Sequence, residues 1–348
     1  MIELMDAPTA ESLLRTAEDA RAGMRGPNSA AAVAQVEANY PDMLAALDWH
    51  LERGQIDPAC RLATALVPFW MTTKRIDDGD RWFERALQVA GGSDRSRARA
   101  LYDHGYLVFW AGRYELAANR FKAASSLAAT VNDPTVIALA LAGSARVALN
   151  DDVEEAIRLL REAVAITDHT ADTEGRSSAM HVLAVALQMS GDLEGARDVM
   201  SERIDMGRRR GEDFVVWVES ANLSMVERQL GNLARARSLS REALEIVSTA
   251  GNDMAIPWVI NGLAAVTAAQ ADHERAARLI GMAEAMLERA GGEWPPDERV
   301  QYEGTLAALS AALAPADLES ARADGARMTT AQGVAYALAG AQAELQSA

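Results

Sequence analysis

The chain of 348 residues contains one cysteine, Cys60, and only two lysines, Lys74 and Lys122. A single cysteine cannot form an internal disulfide, which excludes the disulfide-stapled class of secreted domains. No apolar run approaches the roughly 18 residues that a membrane-spanning helix needs. The N-terminus also lacks the basic segment and apolar core of a secretory signal. These absences predict a cytoplasmic protein that does not contact a membrane.

Positive charge is also scarce. The chain carries 50 acidic residues against 34 lysines and arginines, which gives a formal net charge of −16. Proteins that bind nucleic acid need basic surfaces to neutralise the phosphate backbone. The sequence therefore predicts no direct contact with nucleic acid.

Aromatic residues make up only 5% of the chain, whereas alanine makes up roughly a fifth of it. Alanine, leucine, arginine and glutamate are the residues that stabilise helices best, and long β-branched runs are missing. This composition predicts an all-α fold.

A period of about 40 residues runs through the sequence. Its units begin with a turn residue and place an alanine five positions later. The turn residues are Gly112, Asp151, Gly191, Gly231 and Ala271, and the alanines are Ala117, Ala156, Ala196, Ala236 and Ala276. A degenerate earlier copy has Lys74 at its turn and Gly79 at the small position.

Each turn is preceded, seven residues upstream, by another small residue within an apolar helical pattern. These residues are Gly105, Ser144, Ala184, Ser224 and Ala264. Each unit is therefore predicted to be a helix A, a tight turn and a helix B, with the small residues where the two helices cross. We expect a right-handed α-solenoid of about seven helix pairs, a single continuous array over 42–345, preceded by a helical cap over 1–41.

The pattern resembles the tetratricopeptide repeat (TPR). The unit beginning near residue 98 has Gly105, Ala117, Phe121 and Ala124 at the positions that define this repeat. The segments from Tyr40 to Trp70, from Arg75 to Leu87 and from Ala321 to Leu338 further resemble the C-terminal sensor region of bacterial signal-transduction ATPases of the AfsR-like and LuxR-type (maltose-regulator-like) classes. In that family the repeats bind an inducer or a partner protein.

The other parts of such regulators are missing from this sequence. No G-x-x-x-x-G-K-[ST] motif is present to hold phosphates, and no segment has the basic recognition helix of a helix-turn-helix domain. The resemblance therefore implies only the sensor role. It does not imply ATP hydrolysis or DNA binding, and the ATPase and DNA-binding domains of a longer chain are left open.

Catalytic and metal-binding motifs are also missing. The sequence has no H-E-x-x-H, C-x-x-C, G-x-S-x-G or G-x-G-x-x-G motif, so we expect no cofactor and no metal. Cys60 has no base near it in sequence, which favours a buried apolar residue over a nucleophile. A catalytic activity is left open, but a non-catalytic protein is favoured.

In repeats of this type helix A lines the concave groove, which predicts the residues that face a ligand. The predicted ligand-binding residues are Tyr102, Tyr106, Trp110, His181, Gln188, Asn222, Met225, Arg228, Trp258 and Asn261. An apolar, aromatic groove with a few separated polar groups is typical of a site for a small molecule or a peptide. The alternatives are that Tyr102, Tyr106 and Trp110 belong to the inter-helix core, and that His181 is a hydrogen-bonded core residue.

Two functions remain open. The first is a non-catalytic sensor or scaffold of bacterial transcriptional regulation that binds a small molecule, a peptide or a protein in the groove. The alternative is a stand-alone TPR protein recruited as an enzyme, or as a drug-sequestering protein, within a biosynthetic cluster. A homodimer through a repeat end is also left open, because residues 331–345 remain rich in alanine and leucine.

Overall fold

The computed structural model describes residues 5–24, 29–168, 170, 174–289, 292–294 and 296–339. Residues 340–345, the end of the predicted array, lie outside this part. The described residues form helices and no strands, which confirms the all-α prediction. The chain divides into two compact units, Met1–Val199 and Met200–Ala348.

The first unit consists of nine described helices and the start of a tenth. They are α1 (Ala7–Gly23), α2 (Ser29–Glu52), α3 (Ile56–Thr72), α4 (Ile76–Gln88), α5 (Asp94–Trp110), α6 (Tyr114–Thr130), α7 (Pro134–Ala148), α8 (Val153–Thr167), α9 (Glu174–Ser190) and α10 (Leu193–Arg210). Because α2 runs through Pro41, the predicted end of the cap at residue 41 falls inside a helix.

The second unit begins within α10 and continues with seven described helices. They are α11 (Asp213–Gln229), α12 (Leu233–Thr249), α13 (Ile256–Ala269), α14 (His273–Arg289), α15 (Pro296–Ala312), α16 (Pro315–Ala326) and α17 (Thr330–Ala339). Whether the repeats form one continuous array stays a prediction.

The turns between paired helices lie where the period places them. Lys74 and Ala271 adopt left-handed backbone conformations, with φ of 57° and 64°. Gly112, at the equivalent turn between α5 and α6, has φ of 77°. Non-glycine residues rarely adopt positive φ, so their presence here indicates that the flanking helices impose the turn.

Small residues allow close packing within a repeat. Phe121 of α6 is fully buried. A Cβ atom on Gly105 of α5 would lie 2.8 Å from its ring, and one on Gly143 of α7 would lie 2.5 Å from it. The predicted role of Gly105 at the crossing of α5 and α6 is therefore confirmed, and Gly143 extends the same packing to α7.

Helix starts follow local capping rules. The side chain of Asp133 accepts a hydrogen bond from the backbone N–H of Val136 at 3.2 Å, and Pro134 occupies the first turn of α7. An acidic cap followed by proline satisfies the free N–H groups at a helix start.

Over the described residues, no helix combines the length and apolarity that crossing a membrane requires.

Candidate functional site

The first helices of successive repeats, called A helices below, lie side by side. In the first unit α3 contacts α5, α5 contacts α7 and α7 contacts α9; in the second unit α11 contacts α13. The predicted ligand residues all lie on these A helices. We call the side of the A helices that carries these residues the A-helix surface. Its predicted residues lie on α5 and α9 in the first unit and on α11 and α13 in the second.

In the first unit, three predicted aromatic residues form a line along α5. The ring centroids of Tyr102 and Tyr106 are 6.2 Å apart, as are those of Tyr106 and Trp110. Tyr102 is buried, and burial raises the pKa of its hydroxyl. Trp110 is 50% exposed. The line therefore runs from the core at Tyr102 to solvent at Trp110.

Arg146 of α7 belongs to the same surface, although the sequence pattern did not single it out. Its guanidinium carbon lies 5.9 Å from the centroid of the Tyr106 ring. A cation at this distance over an aromatic face is attracted by the ring's electrons. The repeat from Gly105 to Ser144 is 39 residues, so its register places Ala145 at the position equivalent to Tyr106. The period therefore gave no signal for Arg146.

His181 and Gln188 lie on α9 and are both partly buried. They are two turns apart on one helix, so they face a similar direction. Both engage in polar or ring interactions within the protein. Their role in ligand binding stays a proposal.

A partly buried network of ion pairs and hydrogen bonds connects four helices of this unit, α1, α3, α5 and α9. Glu174 of α9 accepts hydrogen bonds from Arg99 of α5, at 2.9 Å on each carboxylate oxygen, and from Arg21 of α1 at 2.6 Å. Arg99 also donates to Asp103 at 2.9 Å, and Thr64 donates to Asp103 at 2.6 Å. Burial alone would lower the pKa of Arg99, but Asp103 and Glu174 raise it well above its ordinary value. The predicted site residues did not include this network.

In the second unit, α11 carries Asn222, Met225 and Arg228, which are all partly buried. Arg228 has no carboxylate partner among the described residues, and its buried Nε has no hydrogen-bond partner. Burial lowers the pKa of its guanidinium. The adjacent Glu227 does not neutralise it, because that carboxylate binds Arg235 at 3.0 Å and Asn232 at 2.7 Å.

The two predicted residues of α13 have different surroundings. Trp258 is partly buried, and its indole N–H has no hydrogen-bond partner among the described residues. Asn261 is fully buried, and its side-chain amide donates to the backbone carbonyl of Glu298 at 3.1 Å and to the carboxylate of the same residue at 2.9 Å. Asn261 therefore attaches α15 to α13.

Two groups whose residue types suit catalysis or metal binding lie elsewhere in the first unit. Cys60 is buried, which raises the pKa of its thiol to about 11 and keeps it protonated near neutral pH. This agrees with the sequence-based preference for an apolar role over a nucleophile.

Asp80, Glu84 and His104 place one donor atom each within 4.8 Å of one another, a spacing suited to a metal ion. Asp80 accepts hydrogen bonds from His104 at 2.7 Å and from Arg113, whose guanidinium lies 2.5 Å away. Burial would raise the pKa of Asp80, but these two partners lower it. Asp80 is thus already paired with the Arg113 cation, and the cluster fits a polar contact between α4 and α5.

The chain is similar to known repeat proteins in sequence. Residues 221–250 match the family model of the tetratricopeptide repeat. Over 240 residues the chain is 29% identical to a Mycobacterium tuberculosis protein named as an HTH-type transcriptional regulator, and to its Mycobacterium bovis counterpart. The match covers 66% of this chain and 27% of the regulator, so the chain spans only a part of the relatives it matches.

Solved structures share the fold. One is a signal transduction ATPase with numerous domains (STAND) from Pyrococcus horikoshii that has a tetratricopeptide repeat sensor, with a TM-score of 0.52 and 12% identity over 93% of this chain and 56% of that chain. Another is a Rap protein complexed with competence and sporulation factor, with a TM-score of 0.52 and 14% identity over 97% and 99% of the two chains. The described residues therefore have the fold of TPR-type helical repeat proteins, and residues 221–250 match the repeat itself.

Proposed function

We propose that this chain is a non-catalytic sensor module of bacterial transcriptional regulation, which binds a small molecule or a peptide on its A-helix surface. The relative in M. tuberculosis is named as a transcriptional regulator, and the two structural neighbours are named for a TPR sensor and for a complex with competence and sporulation factor. These names support regulation and ligand binding as the role of the repeats. The binding residues proposed are the accessible residues of the A-helix surface in each unit, without the buried Tyr102 and Asn261.

The observation that supports the proposal most directly is the half-exposed Trp110 next to Tyr106, whose ring is in contact with Arg146. A large aromatic ring that remains 50% exposed leaves apolar surface in water. A cation nearby adds a polar group able to orient a ligand. Aromatic residues and arginine are the side chains that most often dominate binding energy.

Trp110→Ala is the test of this surface. Ligands are identified first, by native mass spectrometry of the purified chain for co-purified molecules and by thermal-shift screens of metabolites and short peptides. We expect Trp110→Ala to raise the Kd of a hit about tenfold, which corresponds to about 1.4 kcal/mol. Isothermal titration calorimetry measures the change.

Phe214→Ala is the matched control. Phe214 is 48% exposed, close to the exposure of Trp110, but lies at the start of α11 in the second unit and is not one of the proposed binding residues. It should leave the Kd unchanged within twofold. Equal Kd values for the wild type and Trp110→Ala would contradict the assignment of this surface, and turnover of a bound ligand would contradict the non-catalytic role.

A further inference from the structure

A cavity of about 310 Å³ lies in the first unit between α1, α3 and α5. Its lining differs from the aromatic line because it is rich in arginine. The lining residues are Glu18 and Arg21 of α1, Cys60, Arg61, Thr64 and Ala65 of α3, and Arg95, Ser96 and Arg99 of α5. Arg95 and Trp110 are 15 residues apart on α5, or about 22 Å along the helix. The cavity is thus distant from the exposed end of the aromatic line at Trp110, whereas the Arg99 guanidinium at its wall lies 5.7 Å from the ring centroid of Tyr102 at the buried end.

The cavity walls carry four guanidinium groups and one carboxylate. Two of these cations, Arg21 and Arg99, are held in place by Glu174, because both donate to the same carboxylate oxygen of that residue, at 2.6 and 2.9 Å. Arg99 is further fixed by Asp103. Cations that are immobilised before a ligand arrives lose little conformational entropy when they bind it.

The arginines that line the cavity do not use all of their N–H donors in contacts within the protein. Arg61 donates from Nε and Nη2 to Glu18, at 3.0 and 2.9 Å. Arg95 contacts Asp133 through Nε at 3.2 Å. Arg21 donates from Nη2 to Glu174, and its Nε is buried, so only its remaining N–H groups can face the cavity. Each guanidinium has five N–H donors, so donors remain on all three walls.

We propose that this cavity binds a small organic anion that carries two or more carboxylate or phosphate groups. Guanidinium groups pair best with the oxygen atoms of these anions, with which they form two parallel hydrogen bonds. Because Arg21, Arg61 and Arg95 lie on three different helices, a ligand with several anionic groups can engage more of them than a single ion. The volume suits about ten non-hydrogen atoms, at about 30 Å³ for an atom of the size of a water molecule.

Cys60 provides a built-in reporter of occupancy. It is the only cysteine of the chain and lines the cavity, but it is buried, so alkylation requires the cavity wall to open and slows when a bound ligand keeps the wall closed. A bound anion blocks the reagent and disfavours the thiolate, which is the reactive form. The probes are citrate and inorganic phosphate, compared with sodium chloride at equal ionic strength, and the readouts are the iodoacetamide rate by mass spectrometry and the thermal midpoint.

We expect citrate or phosphate to slow alkylation of the wild type at least threefold and to raise its thermal midpoint by about 3 °C. The double variant Arg61→Gln/Arg95→Gln should lose both effects. Both side chains are exposed enough, at 53% and 67%, for the variant to keep its fold, which circular dichroism verifies. Protection by citrate alone identifies a carboxylate ligand, and protection by phosphate alone a phosphorylated one.

Arg85→Gln is the control for removal of an ion-paired arginine. Arg85 is 51% exposed and binds Asp48 at 2.7 Å, much as Arg61 binds Glu18, but it does not line the cavity. It should respond to the anions as the wild type does. The proposal is overturned if neither anion differs from chloride, or if protection persists in the double variant. Because Trp110 lies outside this cavity, its loss should leave protection unchanged, so the two proposals fail separately.

Discussion

Arg228 carries a positive charge that the protein does not neutralise. Its guanidinium is partly buried on α11, and no carboxylate contacts it within the described part of the chain. Removing a charge from water without a partner costs free energy. A residue that destabilises the fold in this way fits a role in binding, where an anionic ligand group would supply the missing partner.

We expect Arg228→Met to stabilise the protein. Methionine keeps most of the apolar volume of arginine and removes the unpaired charge, so the free energy of unfolding should rise by about 1 kcal/mol. Urea denaturation followed by circular dichroism measures this change. If Arg228 binds the ligand, the same variant should weaken ligand affinity although it is more stable.

Arg208→Met is the contrasting control. Arg208 lies in the same unit and binds Glu242 at 2.6 Å, so its removal should lower stability slightly or leave it unchanged. A loss of stability in Arg228→Met similar to that in Arg208→Met would show that Arg228 has a stabilising contact and would refute this account of its role.

Sequence patterns predicted some of these residues and missed others for a physical reason. Arg228 follows from its position in the repeat, because helical periodicity determines which side chains share a face. The pairing of Arg21 with Glu174 joins residues 153 positions apart. No local pattern encodes such a contact, so the arginine-lined cavity became visible only in the structure.

At the scale of helices, the period predicted where most chain turns lie. Short turns leave the chain few conformations, so Gly112 and even Ala271 take left-handed backbone angles at matching positions. The placement of α1 against α3 was not predicted. Its amphipathic sequence specifies a buried face but not the helix on which that face packs.

The crossing of α14 and α16 depends on two glycines. A Cβ atom on Gly281 would lie 2.0 Å from the carbonyl oxygen of Arg322, and one on Gly325 would lie 2.0 Å from that of Arg278. Backbone atoms cannot move aside as a flexible side chain can, so these two helices must separate to admit a methyl group. We expect Gly281→Ala to lower the free energy of unfolding by about 2 kcal/mol, measured by urea denaturation.

Gly304→Ala separates this steric effect from helix propensity. Gly304 lies in α15, and nothing would contact its Cβ within 4 Å. Alanine there should stabilise the protein by about 0.5–1 kcal/mol. If Gly281→Ala is also stabilising, α14 and α16 are not in close backbone contact and the crossing is incorrectly described.

At the scale of the whole molecule, the repeat architecture determines how far the destabilisation caused by one substitution spreads along the chain. In a repeat protein each repeat contacts only the neighbouring repeats, so the free energy of unfolding is a sum of local contributions. The helix packing of Met1–Val199 follows this scheme from one A helix to the next. Glu174 is an exception, because its ion pairs connect α9 directly to α1 and α5. A single hydrophobic core would instead transmit a defect throughout the unit.

Phe121→Ala distinguishes these two cases in the first unit. Phe121 is fully buried against Gly105 and Gly143, so its truncation should cost about 3–5 kcal/mol locally. We expect hydrogen exchange, measured by mass spectrometry, to accelerate most in α5, α6 and α7 and less in α3 and α9, because the cavity weakens the contacts of one repeat and its neighbours. Phe214→Ala, which removes a ring that is 48% exposed, should leave exchange nearly unchanged. A uniform acceleration across Ala7–Ser190 would mean that the unit opens as one body, and ligand binding at one repeat would then alter all of its helices together.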